Sequence, residues 1–216
     1  MDQLPGLDLR AGSLWCIGRN YAEHALELGN MVPSAPVVFL KPASSLTSDG
    51  ATLNWPADIG AVHHEVEMVV AIGCGGSWIP RESALAHVAG YAVGIDLTAR
   101  DLQAKAKAAG LPWTEAKGRD GFAPLSRFVS AADVADPAAL ALTLRVNGAL
   151  RQEGCTADML WDLPALIAYL SERFTLRPGD LVFTGTPPGV GPLMPGDRVE
   201  AELGPGLARL AITVAR

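Results

Sequence analysis

Paired cysteines, basic runs and long apolar stretches are what this chain lacks. Its three cysteines, Cys16, Cys74 and Cys155, are odd in number and far apart. They form no Cys-x-x-Cys pair and no disulfide framework, so a reducing compartment is the default and each reads as a small buried filler. The formal charge is −6, and Lys105 with Lys107 is the nearest approach to a basic cluster. That argues against nucleic acid and against an anionic membrane surface as partners. It leaves room for a small anionic substrate, which needs only a local positive centre. The longest apolar runs are strand-sized, so nothing reads as a membrane span. Met1-Asp2-Gln3-Leu4-Pro5-Gly6 has neither a basic region nor an apolar signal core, and the expected location is cytoplasmic. Neither a Gly-x-Gly-x-x-Gly motif nor a regular βαβ alternation occurs, which excludes a Rossmann sheet.

What is present is enough apolar material for a core. With 49% of its residues apolar and 19% charged, the chain is too hydrophobic for disorder, and 216 residues suit one domain. Strands are expected at 14–18, 37–40, 63–72, 91–97, 139–146 and 181–183. Asn147-Gly148 is a two-residue hairpin signal leading into Ala149-Leu150-Arg151. One short helix is expected after an Asn20 cap, carrying Tyr21, His24, Glu27 and Leu28 and stopped by Gly29 or Asn30. A second opens at Pro80 and ends at Gly90. A third is capped by Thr98, with Asp101 at the reciprocal capping position, and closed by Gly110. A fourth starts at Asp162-Leu163-Pro164, with Leu163, Leu166, Ile167, Leu170 and Phe174 as its apolar stripe. Pro178-Gly179-Asp180 and Pro195-Gly196-Asp197 repeat one turn ahead of a strand. The sum is an α+β, strand-dominated architecture.

The stretch His63-His64-Glu65-Val66-Glu67 runs into Met68-Val69-Val70-Ala71-Ile72. Side chains alternate faces along a strand, so Glu65 and Glu67 share one face with His63, while Val66, Met68, Val70 and Ile72 form a core stripe on the other. Two acids side by side at the start of a buried strand repel unless a cation lies between them, and a hard divalent ion fits best. The alternative is an ordinary strand face pointing into water. Asp96, at the end of the next predicted strand, either caps a helix or adds a third carboxylate to an all-oxygen site suited to Mg²⁺, Mn²⁺ or Ca²⁺. His24 and Glu27 stand three apart on one helix face, where a carboxylate can orient an imidazole, or where both are simply exposed. Arg19 could add an anion contact, and Arg100 and Gln103 would project near Asp96. Lys117 follows Trp113-Thr114-Glu115-Ala116 in what reads as a loop or short strand. The turn from Thr184 to Gly191 offers amides and the Thr184 and Thr186 hydroxyls to a carboxylate, or merely connects strands.

In combination these segments resemble a known family. Gly18-Arg19-Asn20-Tyr21-Ala22-Glu23-His24, Phe39-Leu40-Lys41-Pro42, His63 to Glu67, Gly90-Tyr91 to Asp101, Leu111-Pro112-Trp113 with Lys117, Val146-Asn147-Gly148 and Phe183-Thr184-Gly185-Thr186-Pro187 stand in the order seen in the fumarylacetoacetate hydrolase superfamily. The likeness is to its short members, of acylpyruvase and oxaloacetate decarboxylase type. It implies a layered β roll with flanking helices, a single catalytic domain over 14–216, an N-terminal extension over 1–13, and a homodimer. It further implies Glu65, Glu67 and Asp96 as ligands of Mg²⁺ or Mn²⁺, and His24 with Glu27 as the water-activating dyad. Lys117, Arg19, Arg100, Gln103 and Thr186 would contact a small 2-oxo or diketo acid. Arg119 stands where relatives often carry a bulky apolar residue, which leaves the shape of the substrate pocket open. The expected activity is hydrolysis of the carbon–carbon bond of an acylpyruvate, with oxaloacetate decarboxylation beside it. Isomerisation, decarboxylation or hydration of unsaturated 2-oxo diacids is the alternative, and a non-catalytic 2-oxo acid-binding metalloprotein is the remote third.

Overall fold

A computed structural model describes residues 3–27 and 31–215. Its centre is the strand Val66–Ile72, in which all seven residues are buried. The strand expected over 63–72 breaks at Glu65, but the expected alternation holds beyond it, and apart from Glu67 the run is apolar because both of its faces are covered. Val66, Met68, Val70 and Ile72 pack into one apolar cluster, and Val69 and Ala71 into another. The first cluster is shared with Leu142, Leu144, Val199 and Ile212 of a second sheet and with Leu166, Ile167 and Leu170 of a helix. The second includes Leu14, Cys16, Leu181 and Phe183, together with Leu4 from near the N-terminus.

The main sheet has eight strands. In order across it run Val37–Lys41, Leu14–Gly18, Leu181–Phe183, Val66–Ile72, Val88–Ile95, Ala123–Leu125 and Leu46–Ser48, and Val129–Ser130 also pairs with Val88–Ile95. The five-stranded second sheet runs Ala149–Cys155, Ala141–Val146, Arg198–Leu203, Ala208–Val214 and Thr52–Leu53. A small third sheet joins Gly191–Pro192, Val62–His64 and Thr98–Ala99. Two strands antiparallel to one another, Val66–Ile72 and Val88–Ile95, pair Val66 with Ile95 and Glu67 with Gly94. The C-terminal end of one therefore lies beside the N-terminal end of the other. That register brings residue 96 next to residues 65 and 67.

Several local signals work as read. Asn147 and Gly148 adopt φ of 52° and 80° in the hairpin between Ala141–Val146 and Ala149–Cys155, the left-handed pair that a two-residue turn requires. Asp162 caps Leu163–Arg173 by accepting from the Ala165 amide at 2.9 Å, and Leu163, Leu166, Ile167 and Leu170 are buried. Phe174 lies just past that helix, where its ring stacks on Trp15 at 4.3 Å. The two Pro-Gly-Asp turns share one contact: Asp180 accepts from the Arg177 amide and Asp197 from that of Met194, each three residues back.

Other expectations are corrected. After Pro80 the chain makes 3-10 turns over Arg81–His87, not an α-helix, and only Ala84 is buried, too little apolar surface to hold a longer one. Gly90 lies inside Val88–Ile95 instead of ending a helix. Thr98 belongs to a strand and donates to the Asp96 carbonyl, while Asp101 accepts from the Ala61 amide, so Arg100–Ala109 starts without a side-chain cap. Gly110 does close it, in the left-handed conformation. Thr114–Lys117 is a single helical turn, not a loop or strand. Asn20 is not a cap: its amide donates to the Thr184 and Trp161 carbonyls and its oxygen accepts from the Trp161 amide. The helix after it covers Ala22–Glu27, and the expected stop at Gly29 or Asn30 lies outside the described residues. Of the cysteines only Cys16 is a buried filler; Cys74 is exposed and Cys155 half-buried. No helix among the described residues is long and apolar enough to cross a membrane.

Gly94 offers a direct test of the packing. A Cβ there would stand 2.6 Å from Val69 Cγ2 and 2.9 Å from Phe183 Cε1. Gly94→Ala should cost about 1–3 kcal/mol by overpacking, seen as a lower urea midpoint at unchanged slope. An unaltered midpoint would contradict this close approach.

Candidate metal and substrate site

Glu65 occupies the break between Val62–His64 and Val66–Ile72, and its carbonyl accepts from the Asp96 amide at 2.8 Å. That bond ties together the two strand ends that carry the acids. Ligand oxygens of Glu65, Glu67 and Asp96 all lie within 4.8 Å of one another, and the three residues are 5%, 2% and 1% exposed. Among the described residues this is the one group of three or more acidic, histidine or cysteine side chains close enough to share an ion.

Three cations hold these acids in place. Lys117 places Nζ 2.8 Å from Glu65 Oε2 and 2.5 Å from Asp96 Oδ2. Arg100 pairs with Glu65 Oε1 and also donates to Gln103 Oε1 at 2.7 Å. Lys41 is wholly buried and donates to the carbonyls of Leu97 at 3.1 Å, Phe122 at 2.8 Å, and Lys117. An ammonium has three donors. With all three on carbonyls, Lys41 lies 2.8 Å from Asp96 Oδ1 as a neighbouring charge only, and that buried oxygen accepts no hydrogen bond. Lys41 thus favours the Asp96 anion while leaving a lone pair open.

The electrostatics differ sharply between the acids. Burial works against a charged Glu65, but Lys117 and Arg100 outweigh it and hold the carboxyl well below the usual range. Glu67 has no such partner. Burial, then the charges of Asp96 and Glu65, push its carboxyl well above the ordinary value, against the opposing hydrogen bond from the Gly185 amide at 2.8 Å. A divalent cation shared by the trio would reverse that penalty. The donor set is all oxygen, buried and preassembled, with one oxygen open, so these residues fit Mg²⁺ or Mn²⁺.

The remaining expected residues reach the same cavity with one partial exception. His24, Arg19, Arg100, Gln103, Lys117 and Thr186 all line it with the trio. Arg19 sits in the left-handed region at φ 59°. Glu27 is half-exposed behind His24, its Oε2 3.4 Å from His24 Nδ1, and both its oxygens accept from the Gly189 amide at 3.1 Å. Burial lowers the pKa of His24, with Glu65 and Glu27 opposing, so the imidazole is neutral near pH 7. The turn from Thr184 to Gly191 is less open than expected. The Thr184 hydroxyl donates to the Met68 carbonyl and the Gly185 amide is engaged by Glu67, which leaves Thr186 as the residue of the turn that lines the cavity. Arg119 does not reach the site; its Nε donates to the Glu115 carbonyl at 2.8 Å.

Sequence reasoning missed Lys41, Lys107 and Gln152. Lys107 lines the cavity with Nζ 5.2 Å above the Trp113 ring. Its spacing was a usable signal, since residues 100, 103 and 107 fall on one helical face. Phe39 and Lys41 share a strand face by the same logic of alternation, and a lysine ending an apolar strand invites the question of its partner. Nothing local marks Gln152, which lies 88 residues from its partner His64.

Comparison with known proteins agrees with this geometry. Residues 13–215 match the family model described as fumarylacetoacetate (FAA) hydrolase C-terminal. The chain is 49% identical over 201 residues to the mitochondrial oxaloacetate tautomerase FAHD1 of Arabidopsis thaliana, covering 93% of this chain and 90% of that protein. It is 48% identical over 194 residues to the oxaloacetate tautomerase YcgM of Escherichia coli, covering 89% of each. A crystal structure of fumarylpyruvate hydrolase from Pseudomonas aeruginosa in complex with Mn²⁺ and pyruvate superposes with a TM-score of 0.93 at 40% identity, over 99% of this chain and 94% of that one. With the strand-dominated α+β fold and the motif order, these matches establish that the chain belongs to the fumarylacetoacetate hydrolase family.

Proposed function

We propose that this protein is a divalent-metal-dependent enzyme that interconverts the keto and enol forms of a 2-oxo diacid of the oxaloacetate type. The observation that carries the reading is the open Asp96 oxygen beside Glu65 and Glu67, in a cavity shared with a buried, neutral His24. The two tautomerases that match most of both chains support oxaloacetate as the ligand. Glu65, Glu67 and Asp96 would hold Mg²⁺ or Mn²⁺, which when bound would supply Lewis acidity to acidify the C–H beside a 2-oxo group.

The chain's own groups account for the rest. His24 takes a proton from C3 and a proton is returned at the 2-oxygen, so one C–H bond breaks and one O–H bond forms. Glu27 faces Nδ1, which leaves Nε2 to exchange the proton. Lys117, poised between Glu65 and Asp96, is placed to donate to an oxygen that gains charge. Arg19 and Lys107 have no carboxylate within 4 Å among the described residues. Burial and then the charge of Arg19 lower the pKa of Lys107, so a carboxylate between them is favourable. These two cations suit the second carboxylate of a diacid.

Hydrolysis of an acylpyruvate is the second reading, favoured by the His24–Glu27 pair, which would direct water at a distal carbonyl, and by the likeness to fumarylpyruvate hydrolase. Loss of CO₂ from oxaloacetate needs no such base.

Variants and a pH profile test this. Glu67→Gln should abolish divalent-dependent turnover, because the amide replaces an ionisable ligand oxygen. Full activity in the variant rules the site out. His24→Ala should lower kcat for enol–keto exchange by roughly 10²–10⁴ and leave any decarboxylation nearly unchanged; equal losses would remove His24 as the base. The wild-type acid limb should fall below the ordinary imidazole value, since the neutral form is the active one. Arg19→Ala and Lys107→Ala should raise KM for oxaloacetate far more than for acetylpyruvate, and parallel changes would place the second carboxylate elsewhere.

A further inference from the structure

Gln152 lies on the strand Ala149–Cys155 of the second sheet, 1% exposed, behind the cavity wall. Its amide makes four hydrogen bonds, which is all it can make. Oε1 accepts from the Val66 amide at 3.0 Å and meets His64 Nδ1 at 2.8 Å. Nε2 meets the Thr186 hydroxyl at 2.8 Å and donates to the Pro187 carbonyl at 2.9 Å. Two of these partners have no choice of role. A backbone amide only donates and a backbone carbonyl only accepts, so flipping the side chain would set donor against donor at Val66 and acceptor against acceptor at Pro187. The orientation is therefore determined by the main chain.

The other two partners inherit their roles from it. His64 must carry its proton on Nδ1. Thr186 Oγ1 must accept from Nε2, and its own proton is left to point elsewhere. Thr186 lines the cavity containing Glu65, Glu67 and Asp96. We propose that Gln152 is a positioning residue that commits the Thr186 hydroxyl to donate into the cavity, so that this corner binds an oxygen acceptor of the ligand, a carboxylate or enolate oxygen, and rejects a hydrogen-bond donor. The assignment rests on the reading of the cavity as a metal and 2-oxo acid site.

The test is a double-mutant cycle on ligand binding, with one measurement that needs no variant. Oxalate, a planar mimic of the 2-oxo acid head, is titrated by calorimetry into Mn²⁺-loaded wild type, Gln152→Glu, Thr186→Val and the double variant. The carboxylate introduced by Gln152→Glu keeps the acceptor for Val66 and His64 but, ionised, turns the Thr186 proton onto itself. Thr186→Val should weaken oxalate about 10- to 100-fold, the range for a hydrogen bond to a charged group. The Gln152→Glu penalty should be about tenfold larger with Thr186 in place than in the Thr186→Val background, a comparison that subtracts the effect of the added charge. Equal penalties in the two backgrounds overturn the proposal. Long-range ¹⁵N–¹H spectra of the wild type should show His64 protonated on Nδ1, and a bare Nδ1 overturns it even if Gln152→Glu fails to fold. Wild type that binds Mn²⁺ but no oxalate overturns the underlying reading, which an additive cycle on a wild type that does bind leaves standing.

Discussion

Three carboxyl groups confined within 4.8 Å in a dry interior are an unstable combination, and much of the surrounding structure serves to hold them. Glu65 and Asp96 are joined through the main chain and share Lys117. Arg100 takes the far side of Glu65. Lys41 lies beside Asp96 while bonded to three carbonyls, so it neutralises the acid without covering it. Glu67 has only the Gly185 amide set against its neighbours' charge, and it is the acid whose ionisation most depends on a cation. The tension is local to the point where a metal ion would relieve it.

That balance extends to the ligand. Three acids face three interior cations, Lys41, Arg100 and Lys117, and Arg19 and Lys107 stand at the rim in excess. A divalent ion held by the acids would add further positive charge. The balance at the cavity therefore favours an anion, even though the molecule as a whole is acidic at −6. Net charge describes the solvated surface; the cavity is set by eight charged side chains.

The site is assembled from segments of widely separated sequence, and their legibility follows the range of the forces involved. Helix Leu163–Arg173 is readable because its cap, its proline and its apolar stripe act within a few residues. The hairpin at Asn147-Gly148 is readable because the turn demands left-handed backbone. The α-helix expected from Pro80 to Ala89 fails because only Ala84 of Arg81–His87 is buried, and the cap expected at Thr98 fails because that residue pairs with His63 in a strand the local pattern does not show. Lys107 could have been found by extending the helical face of Arg100 and Gln103. Gln152 could not, since its four partners come from three other segments.

Alternation along a strand is a property of the covalent chain, so the sequence by itself determined that Glu65 and Glu67 share a face and that the opposite face is core. Resemblance in motif order extended this to Asp96, His24 and Lys117. Only the tertiary structure decided that Asp96 Oδ1 stays open, that Lys41 rests on three carbonyls, and that Thr186 Oγ1 accepts from Gln152. Those facts depend on sheet register and on which partners arrive across 34 to 88 residues of chain. Hydrogen-bond direction is settled by all the partners of a group at once, and no window of sequence contains them.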